Sequence, residues 1–191
     1  PRADGRGCNT VLTSAGFGQA PRLGFPGTAA GTLRPAGSWK PIEQATTSYG
    51  HGMSTSLMQM AQSYLIFARD GDMIPVTLLK AESDALSRPV ISKDTAHAVR
   101  AMMELATGPK GTAPRAQVPG YRVAGKTSTA HKPVNGRYTN KYVSAFVGFA
   151  PVSDPRIIVA VMVDEPTVGG YFGGRVAAPV FSAVTQDALR T

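Results

Sequence analysis

The chain has 191 residues, of which 42% are hydrophobic and 17% are charged. This balance is typical of a folded globular chain with a sizeable core and excludes a disordered one. The formal net charge is +8, but the sequence holds no run of three Lys or Arg and no basic stretch interleaved with aromatic residues. The charge pattern therefore argues against nucleic acid as a partner and fits an anionic cell-envelope setting.

Neither metal ions nor disulfide bonds are expected. Cys8 is the single cysteine, so it forms neither an intrachain disulfide nor a cysteine-based zinc cluster. His51, His97 and His131 are too far apart in sequence for metal-ligand spacing. No apolar run is as long as a membrane span, and residues 1–20 lack the order of a signal peptide. The sequence therefore predicts no cofactor, and any targeting or anchoring segment is expected to lie outside this chain.

Residues 1–41 and residues 42–120 differ in how much regular secondary structure they predict. Residues 1–41 are punctuated by Gly and Pro, which predicts an irregular lead-in that its aromatic residues fix to the body. Residues 42–120 are predicted to be mainly helical. The first helix there begins at Ser54 or Thr55 as N-cap, follows 3.6-residue apolar spacing, and ends at Gly71.

An edge strand and a second helix follow in the same segment. Residues 73–80 read as a short strand whose proline favours an edge position. The second helix begins near Ser92 and ends at Gly108. Its apolar residues recur at steps of three and four, which predicts one buried face made of Val99, Met102, Met103 and Ala106.

Residues 121–191 predict a three-strand meander and a terminal helix. The strand-like runs are residues 121–130, 141–150 and 156–163, joined by short links that include Asn135-Gly136. The third run is β-branched enough to predict a central position in a sheet. With the amphipathic helix of residues 175–189, the pattern indicates an α+β fold, an antiparallel sheet meander covered by helices.

Residues 123–130 place a cation and three hydroxyls just before the most strand-like part of the chain. On a strand, Lys126 and Ser128 share one face, and Thr127 and Thr129 share the other. A lysine beside hydroxyls and free backbone N–H groups is what an anionic ligand, or an oxyanion formed in acyl transfer, requires. The alternative is an ordinary exposed edge strand, where Lys and Thr are common.

A family resemblance favours the first interpretation. Residues 125–130 read Gly-Lys-Thr-Ser-Thr-Ala, and an Asn-Gly turn and an aromatic strand ending Val-Gly-Phe-Ala-Pro follow them. Three more stretches agree, at residues 23–27, 42–52 and 171–181. Over roughly residues 12–190 the chain resembles the C-terminal half of a class B penicillin-binding protein, of the division-specific septal peptidoglycan D,D-transpeptidase type. The resemblance implies a partial penicillin-binding transpeptidase fold, which is serine β-lactamase-like, with residues 1–191 as the C-terminal portion of one domain.

The resemblance also implies roles for the site residues. Lys126 would supply positive potential and a hydrogen bond to the serine of the family's middle motif. Thr127 and Thr129 would hold the terminal carboxylate of the substrate or drug, and the backbone N–H of Thr129 would form half of the oxyanion hole. Tyr171 and Phe172 would form part of an aromatic wall, although simple packing on the end of the sheet explains them equally well.

Two departures from the family pattern are visible. Ser128 stands where the family has glycine, and we expect the fold to tolerate this small residue. No Ser-x-x-Lys and no Ser-x-Asn occurs anywhere in the sequence, so the nucleophile motifs are expected to lie outside this chain. The chain is then one half of an active site, inactive alone, either clipped or completed by a companion chain. Alternatively, it is a non-catalytic binding or scaffold module related to penicillin-binding proteins.

The resemblance implies a set of partners and a location. The expected ligands are peptidoglycan stem peptides ending in D-Ala-D-Ala, and β-lactams, which mimic them. The N-terminal part of the same domain and division-complex proteins are the expected protein partners. The setting would be the periplasmic face of the bacterial inner membrane.

Overall fold

The computed structural model describes residues 5–80 and 86–190, so residues 1–4, 81–85 and 191 of the predicted segments lie outside it. The helices are α1 (Gly5–Ser14), α2 (Pro41–Thr47), α3 (Leu57–Ser63), α4 (Leu65–Ala68), α5 (Lys93–Thr107), α6 (Gly173–Val176) and α7 (Ala178–Arg190). The strands are β1 (Asp72–Met73), β2 (Arg88–Pro89), β3 (Ala124–Val134), β4 (Arg137–Ala150) and β5 (Ile157–Asp164). Short 3-10 helices occur at Ala36–Ser38 and Pro114–Ala116.

The main sheet is antiparallel, with strand order β3-β4-β5. Asn135 and Gly136 join β3 to β4 with φ angles of 51° and 75°, as a two-residue hairpin turn of type I′ requires. The predicted meander and the α+β class are thereby confirmed. The predicted central place of the third run is wrong: among the described residues β5 pairs only with β4, which is the central strand. Burial of β5 comes from helices on both faces rather than from two neighbouring strands.

Helices cover both faces of this sheet. On one face Phe146 packs edge-on against Phe181 of α7, with ring centroids 4.7 Å apart. On the other face Val147 and Phe149 pack with Tyr64 and Met103, which come from the segment of α3 to α5. Because neighbouring strand residues point to opposite faces, Phe146 and Val147 mark the two layers. The sheet therefore has one face toward α6 and α7, and one toward α3, α4 and α5.

The predicted N-cap of α5 is observed, whereas the predicted N-cap of α3 is not. Ser92 caps α5 as predicted, and its hydroxyl accepts a hydrogen bond from the Thr95 N–H at 3.2 Å. The predicted cap at Ser54 or Thr55 is wrong, because Ser56 caps α3. The Ser56 N–H donates to Gln59 Oε1 at 2.8 Å, and the Gln59 N–H donates back to Ser56 Oγ. This reciprocal pair fixes the start of the helix two residues later than Ser54.

Other local predictions need correction. The lead-in holds a helix, α1, and a second unpredicted helix, α2, follows with proline at its first position, where proline is tolerated. The strand predicted over residues 73–80 extends only over Asp72–Met73, because its partner β2 is equally short. Met102 is 59% exposed, whereas Met103 is buried, so the buried face of α5 is narrower than its apolar spacing suggested.

Candidate ligand site at the free edge of β3

The four residues singled out on β3 line two cavities. Lys126 and Ser128 line a cavity of 450 Å³ on the face toward α3. Thr127 and Thr129 line a cavity of 580 Å³ on the face toward α6. Thr127 lines the first cavity as well, so the expected alternation separates Lys126 and Ser128 from Thr129, while Thr127 borders both cavities.

Lys126 links the two cavities across the edge of the strand. Its Nζ donates to the backbone carbonyl of Thr127 at 3.0 Å and lies 3.4 Å from Thr127 Oγ1. Thr127 Oγ1 in turn lies 3.4 Å from Thr112 Oγ1, on the loop that follows α5. The ammonium group and two hydroxyls thus lie together at the edge, although the lysine belongs to the opposite face.

The backbone of β3 is open along this edge, where no strand pairs with it in residues 5–80 and 86–190. Glu165 donates its N–H to the Tyr142 carbonyl at 2.9 Å, so the polar backbone groups of Tyr142 face β5. The alternation of an antiparallel ladder then places Ser128 in a hydrogen-bonded pair with β4. Thr127 and Thr129 consequently direct their N–H and C=O groups to the open edge, where a ligand can extend the sheet.

The segment before α6 is attached to the sheet by two hydroxyls. Thr129 and Ser144 are direct partners across β3 and β4. The Gly173 N–H donates to Thr129 Oγ1 at 3.1 Å, and Ser144 Oγ donates to the Tyr171 carbonyl. Phe172 lies between these two attachment points, and its position beside the Thr127 and Thr129 side chains is fixed by them.

Ion pairs fix the beginning of the same loop, at the end of β5. Lys132 Nζ lies 2.8 Å from Asp164 Oδ2 and 2.9 Å from Glu165 Oε1, and Lys141 Nζ lies 2.8 Å from Glu165 Oε2. These hydrogen bonds raise the pKa of Lys132 and lower that of Glu165. The loop of residues 165–172 is thus attached to the sheet at both ends.

The two aromatic residues of this loop have different surroundings. Phe172 lines the 580 Å³ cavity with Thr127 and Thr129. Tyr171 stacks on Tyr142 of β4, with ring centroids 4.0 Å apart and planes 11° apart. Partial burial and the neighbouring Tyr171 raise the pKa of the Tyr142 phenol. Further ring contacts, which are tilted or edge-on, join Tyr142 to His131, His131 to Tyr138 and Tyr138 to His51.

The sequence interpretation did not identify several groups that line or support the site. Arg115 and Arg175 line the 580 Å³ cavity, as does Thr112. The buried Ser144 holds the loop. The period-2 alternation of β4 is a signal that places Ser144 on the same face as Phe146, but nothing in the sequence shows that a loop distant in sequence packs there.

The described residues form neither a candidate metal centre nor a membrane-spanning helix. Within the described ranges, no three His, Cys, Asp or Glu side chains are grouped so that they could hold a metal ion. No helix in the described part of the chain has both the length and the apolar character needed to cross a membrane.

Known proteins of similar sequence match this chain over most of its length. The "Probable peptidoglycan D,D-transpeptidase PenA" of Neisseria flavescens is 46% identical over 175 residues, which are 91% of this chain and 44% of that protein. The Escherichia coli K12 peptidoglycan D,D-transpeptidase FtsI is 37% identical over 177 residues, which are 92% of this chain and 30% of that protein. The chain therefore spans less than half the length of these curated relatives.

Two solved structures are similar to this chain in both sequence and fold. The apo transpeptidase domain of Burkholderia pseudomallei penicillin-binding protein 3 is 53% identical, with a TM-score of 0.89, and the match covers 94% of this chain and 55% of that chain. The aztreonam complex of Mycobacterium tuberculosis penicillin-binding protein 3 is 30% identical, with a TM-score of 0.85, and the match covers 94% and 45%. Residues 8–186 match the penicillin binding protein transpeptidase domain family. The chain belongs to this family of transpeptidase domains.

Proposed function

We propose that this chain supplies the lysine-threonine half of the active site in a serine D,D-transpeptidase that cross-links peptidoglycan stem peptides. The observation that carries the proposal is the open edge of β3, where the Lys126 ammonium lies 3.4 Å from the Thr127 hydroxyl. The outward backbone N–H of Thr129 belongs to the same edge. A cation, hydroxyl donors and a free N–H are the groups that bind a carboxylate and a developing oxyanion.

Each predicted residue has a proposed role at this edge. The Thr127 and Thr129 hydroxyls hold the terminal carboxylate, while the N–H of Thr129 is one of the two oxyanion donors. Lys126 supplies positive potential and hydrogen-bonds the serine of the middle motif. Ser128 contacts the substrate backbone from the Lys126 face.

Phe172 covers the ligand from the loop side, and Tyr171 supports Phe172 through their contact. Their ring centroids are 4.5 Å apart. Tyr171 is itself fixed by stacking on Tyr142. The aromatic wall implied by the family resemblance therefore consists of one ring at the cavity and one ring behind it.

The nucleophile is proposed to come from outside the 191 residues. The serine attacks the carbonyl of the penultimate D-Ala, the terminal D-Ala leaves, and an amine of a neighbouring stem peptide resolves the acyl-enzyme. The N-terminal part of the same domain, which bears the Ser-x-x-Lys and Ser-x-Asn motifs, packs on the 450 Å³ cavity. That cavity is lined largely by apolar side chains, among them Met60, Tyr64, Val147 and the 51% exposed Met162.

The setting and partners follow from this activity. The ligands are stem peptides ending in D-Ala-D-Ala, and β-lactams, which block the serine by mimicking those peptides. The neighbouring structure with bound aztreonam supports the second class. The proposed location is the periplasm, and division-complex proteins are proposed partners because FtsI is among the relatives.

Intact mass and ligand titration test the proposal together. The isolated chain is expected to show no added mass after incubation with a penicillin, but to bind N-acetyl-D-alanyl-D-alanine reversibly. Mixing or co-expression with a polypeptide that carries the Ser-x-x-Lys and Ser-x-Asn motifs is expected to produce the covalent adduct. Peptide binding without any adduct in the mixture would favour the scaffold-module alternative, and an adduct on the isolated chain would contradict the assignment of the nucleophile.

A further inference from the structure

The cavity on the Thr127 and Thr129 side is more basic than one carboxylate requires. Two arginines, Arg115 and Arg175, line it, and no Asp or Glu is among its described lining residues. Within the described part of the chain, neither arginine forms an ion pair with a carboxylate. Lys126 adds a third positive charge at the edge of the cavity. The local field therefore favours a ligand with more than one negative charge.

Both arginines stand on well-packed backbone. Arg115 belongs to the 3-10 helix Pro114–Ala116, and its neighbour Ala116 is completely buried. The Ala116 N–H donates to the Ala113 carbonyl at 3.0 Å, and Ala113 is also completely buried. The base of the Arg115 side chain is thus held in place before any ligand binds.

Arg175 stands on a second packed segment of the cavity lining. It lies in α6, where the Arg175 N–H donates to the Phe172 carbonyl at 2.8 Å. The two preceding glycines are buried, and a Cβ on Gly174 would lie 2.1 Å from the Thr112 carbonyl. This close approach brings α6 against the loop that carries Thr112 and Arg115, so that both arginines line one cavity.

We propose that Arg115 and Arg175 form a second anion subsite, which binds a carboxylate next to the terminal carboxylate held by Thr127 and Thr129. The ligand class is a peptide with two neighbouring carboxylates, and the inference rests on the proposed carboxylate-binding function of β3. At 580 Å³ the cavity has room for a side chain beside the terminal group. Planar guanidinium groups suit a carboxylate because they donate two parallel hydrogen bonds.

A matched pair of peptides tests the subsite. N-acetyl-D-alanyl-D-glutamate and N-acetyl-D-alanyl-D-glutamine have the same shape and differ by one negative charge. Titration calorimetry on the 191-residue chain at low salt is expected to show the glutamate peptide binding about fivefold more tightly, since exposed pairs contribute modestly. Raising the salt concentration is expected to reduce this difference by screening the exposed charges.

Variants of the two arginines test whether these residues cause the preference for the glutamate peptide. Arg115→Gln and Arg175→Gln are each expected to weaken the preference for the glutamate peptide, and the double variant is expected to abolish it. Arg156→Gln, which removes the same charge at the exposed turn before β5, is expected to leave the preference unchanged. Circular dichroism of each variant checks that the fold is retained.

The outcomes separate this inference from the proposed function. Equal binding of the two peptides, or a preference that survives in the double variant, overturns the second subsite and leaves the proposed function standing. Binding of neither peptide overturns the second subsite. If N-acetyl-D-alanyl-D-alanine also fails to bind, the proposed function is overturned as well, because the first carboxylate is then not held.

Discussion

Thr129 and Ser144 are cross-strand partners whose hydroxyls bind the same short segment of the loop before α6. Thr129 Oγ1 accepts the Gly173 N–H at 3.1 Å, while Ser144 Oγ donates to the Tyr171 carbonyl. A hydroxyl can accept one hydrogen bond while it donates another. Because Thr129 Oγ1 only accepts the hydrogen bond from Gly173, its hydroxyl hydrogen remains available to donate to a bound carboxylate. The Thr129 side chain can therefore bind the loop and the ligand at the same time.

Replacement of Thr129 by valine tests this double use of the hydroxyl. Valine keeps the branched shape but leaves the Gly173 N–H without its acceptor and removes the donor to the ligand. We expect about tenfold weaker binding of N-acetyl-D-alanyl-D-alanine, the equivalent of about 1.4 kcal/mol. Thr129→Ser is the control and is expected to keep most of the affinity. Unchanged affinity in the valine variant, measured by calorimetry, would show that this hydroxyl does not contact the ligand.

Ser144→Ala tests the other attachment point. The side chain is fully buried, and its loss leaves the Tyr171 carbonyl without that donor. We expect the free energy of unfolding in urea to fall by about 1–2 kcal/mol. We also expect faster hydrogen exchange at the Gly173 amide, because the loop end is released. Ser153→Ala, on the exposed turn between β4 and β5, is the control and is expected to change stability by less than about 0.5 kcal/mol.

Gly125 is required by close packing at the start of β3. A Cβ at this position would lie 2.4 Å from Phe146 Cζ and 2.7 Å from the Val147 carbonyl. Gly125→Ala is therefore expected to lower the free energy of unfolding by about 1–3 kcal/mol through overpacking. Gly37→Ala is the matched control, since a Cβ there meets nothing within 4 Å. Equal stability of the two variants would mean that the strand shifts to make room.

Ser128 is exposed in regular register opposite Ala145, so the strand accommodates serine where the family resemblance led us to expect glycine. Ser128→Gly is expected to lower stability by up to about 1 kcal/mol, because glycine loses more backbone entropy in a strand. Affinity for N-acetyl-D-alanyl-D-alanine is expected to rise, because removing the side chain opens the approach to the backbone. A lower affinity would instead assign the serine hydroxyl a favourable contact with the ligand.

Acid sensitivity is expected at Asp70, which contacts three basic side chains. Hydrogen bonds from His97, Lys93 and Arg100 hold the pKa of this carboxyl well below its usual value. A depressed folded-state pKa contributes stability above the unfolded pKa, about 3.9, and this contribution is lost as the pH falls below that value. Unfolding measured between pH 6 and pH 2 should thus show a weaker pH dependence in Asp70→Asn than in the wild type.

Asparagine is the right neutral replacement at this position, because Asp70 has a φ of 55°, which asparagine also tolerates. Asp187→Asn, which changes an 81% exposed side chain on α7, is the control and is expected to leave the pH dependence of unfolding close to that of the wild type. A profile of Asp70→Asn identical to the wild type would show that the three contacts do not stabilise the folded state.

The sequence by itself determined the antiparallel meander and the division of the β3 side chains. Local physical rules decide both. Asn135 and Gly136 adopt the positive φ angles of a tight hairpin turn, and strand alternation places Lys126 and Thr129 at different cavities. The start of α5 is also determined by neighbouring residues, because the N-cap Ser92 and its hydrogen-bond partner Thr95 are three residues apart.

Only the tertiary structure decided which distant groups meet at the edge of β3. Ser144 and Tyr171 are 27 residues apart, and Thr129 and Gly173 are 44 residues apart, so no local pattern connects either pair. Arg115 and Arg175 share a cavity because buried glycines bring α6 against the loop after α5. Side-chain contacts of this kind depend on how whole layers pack, whereas hydrophobic periodicity reports only which face of each element is buried.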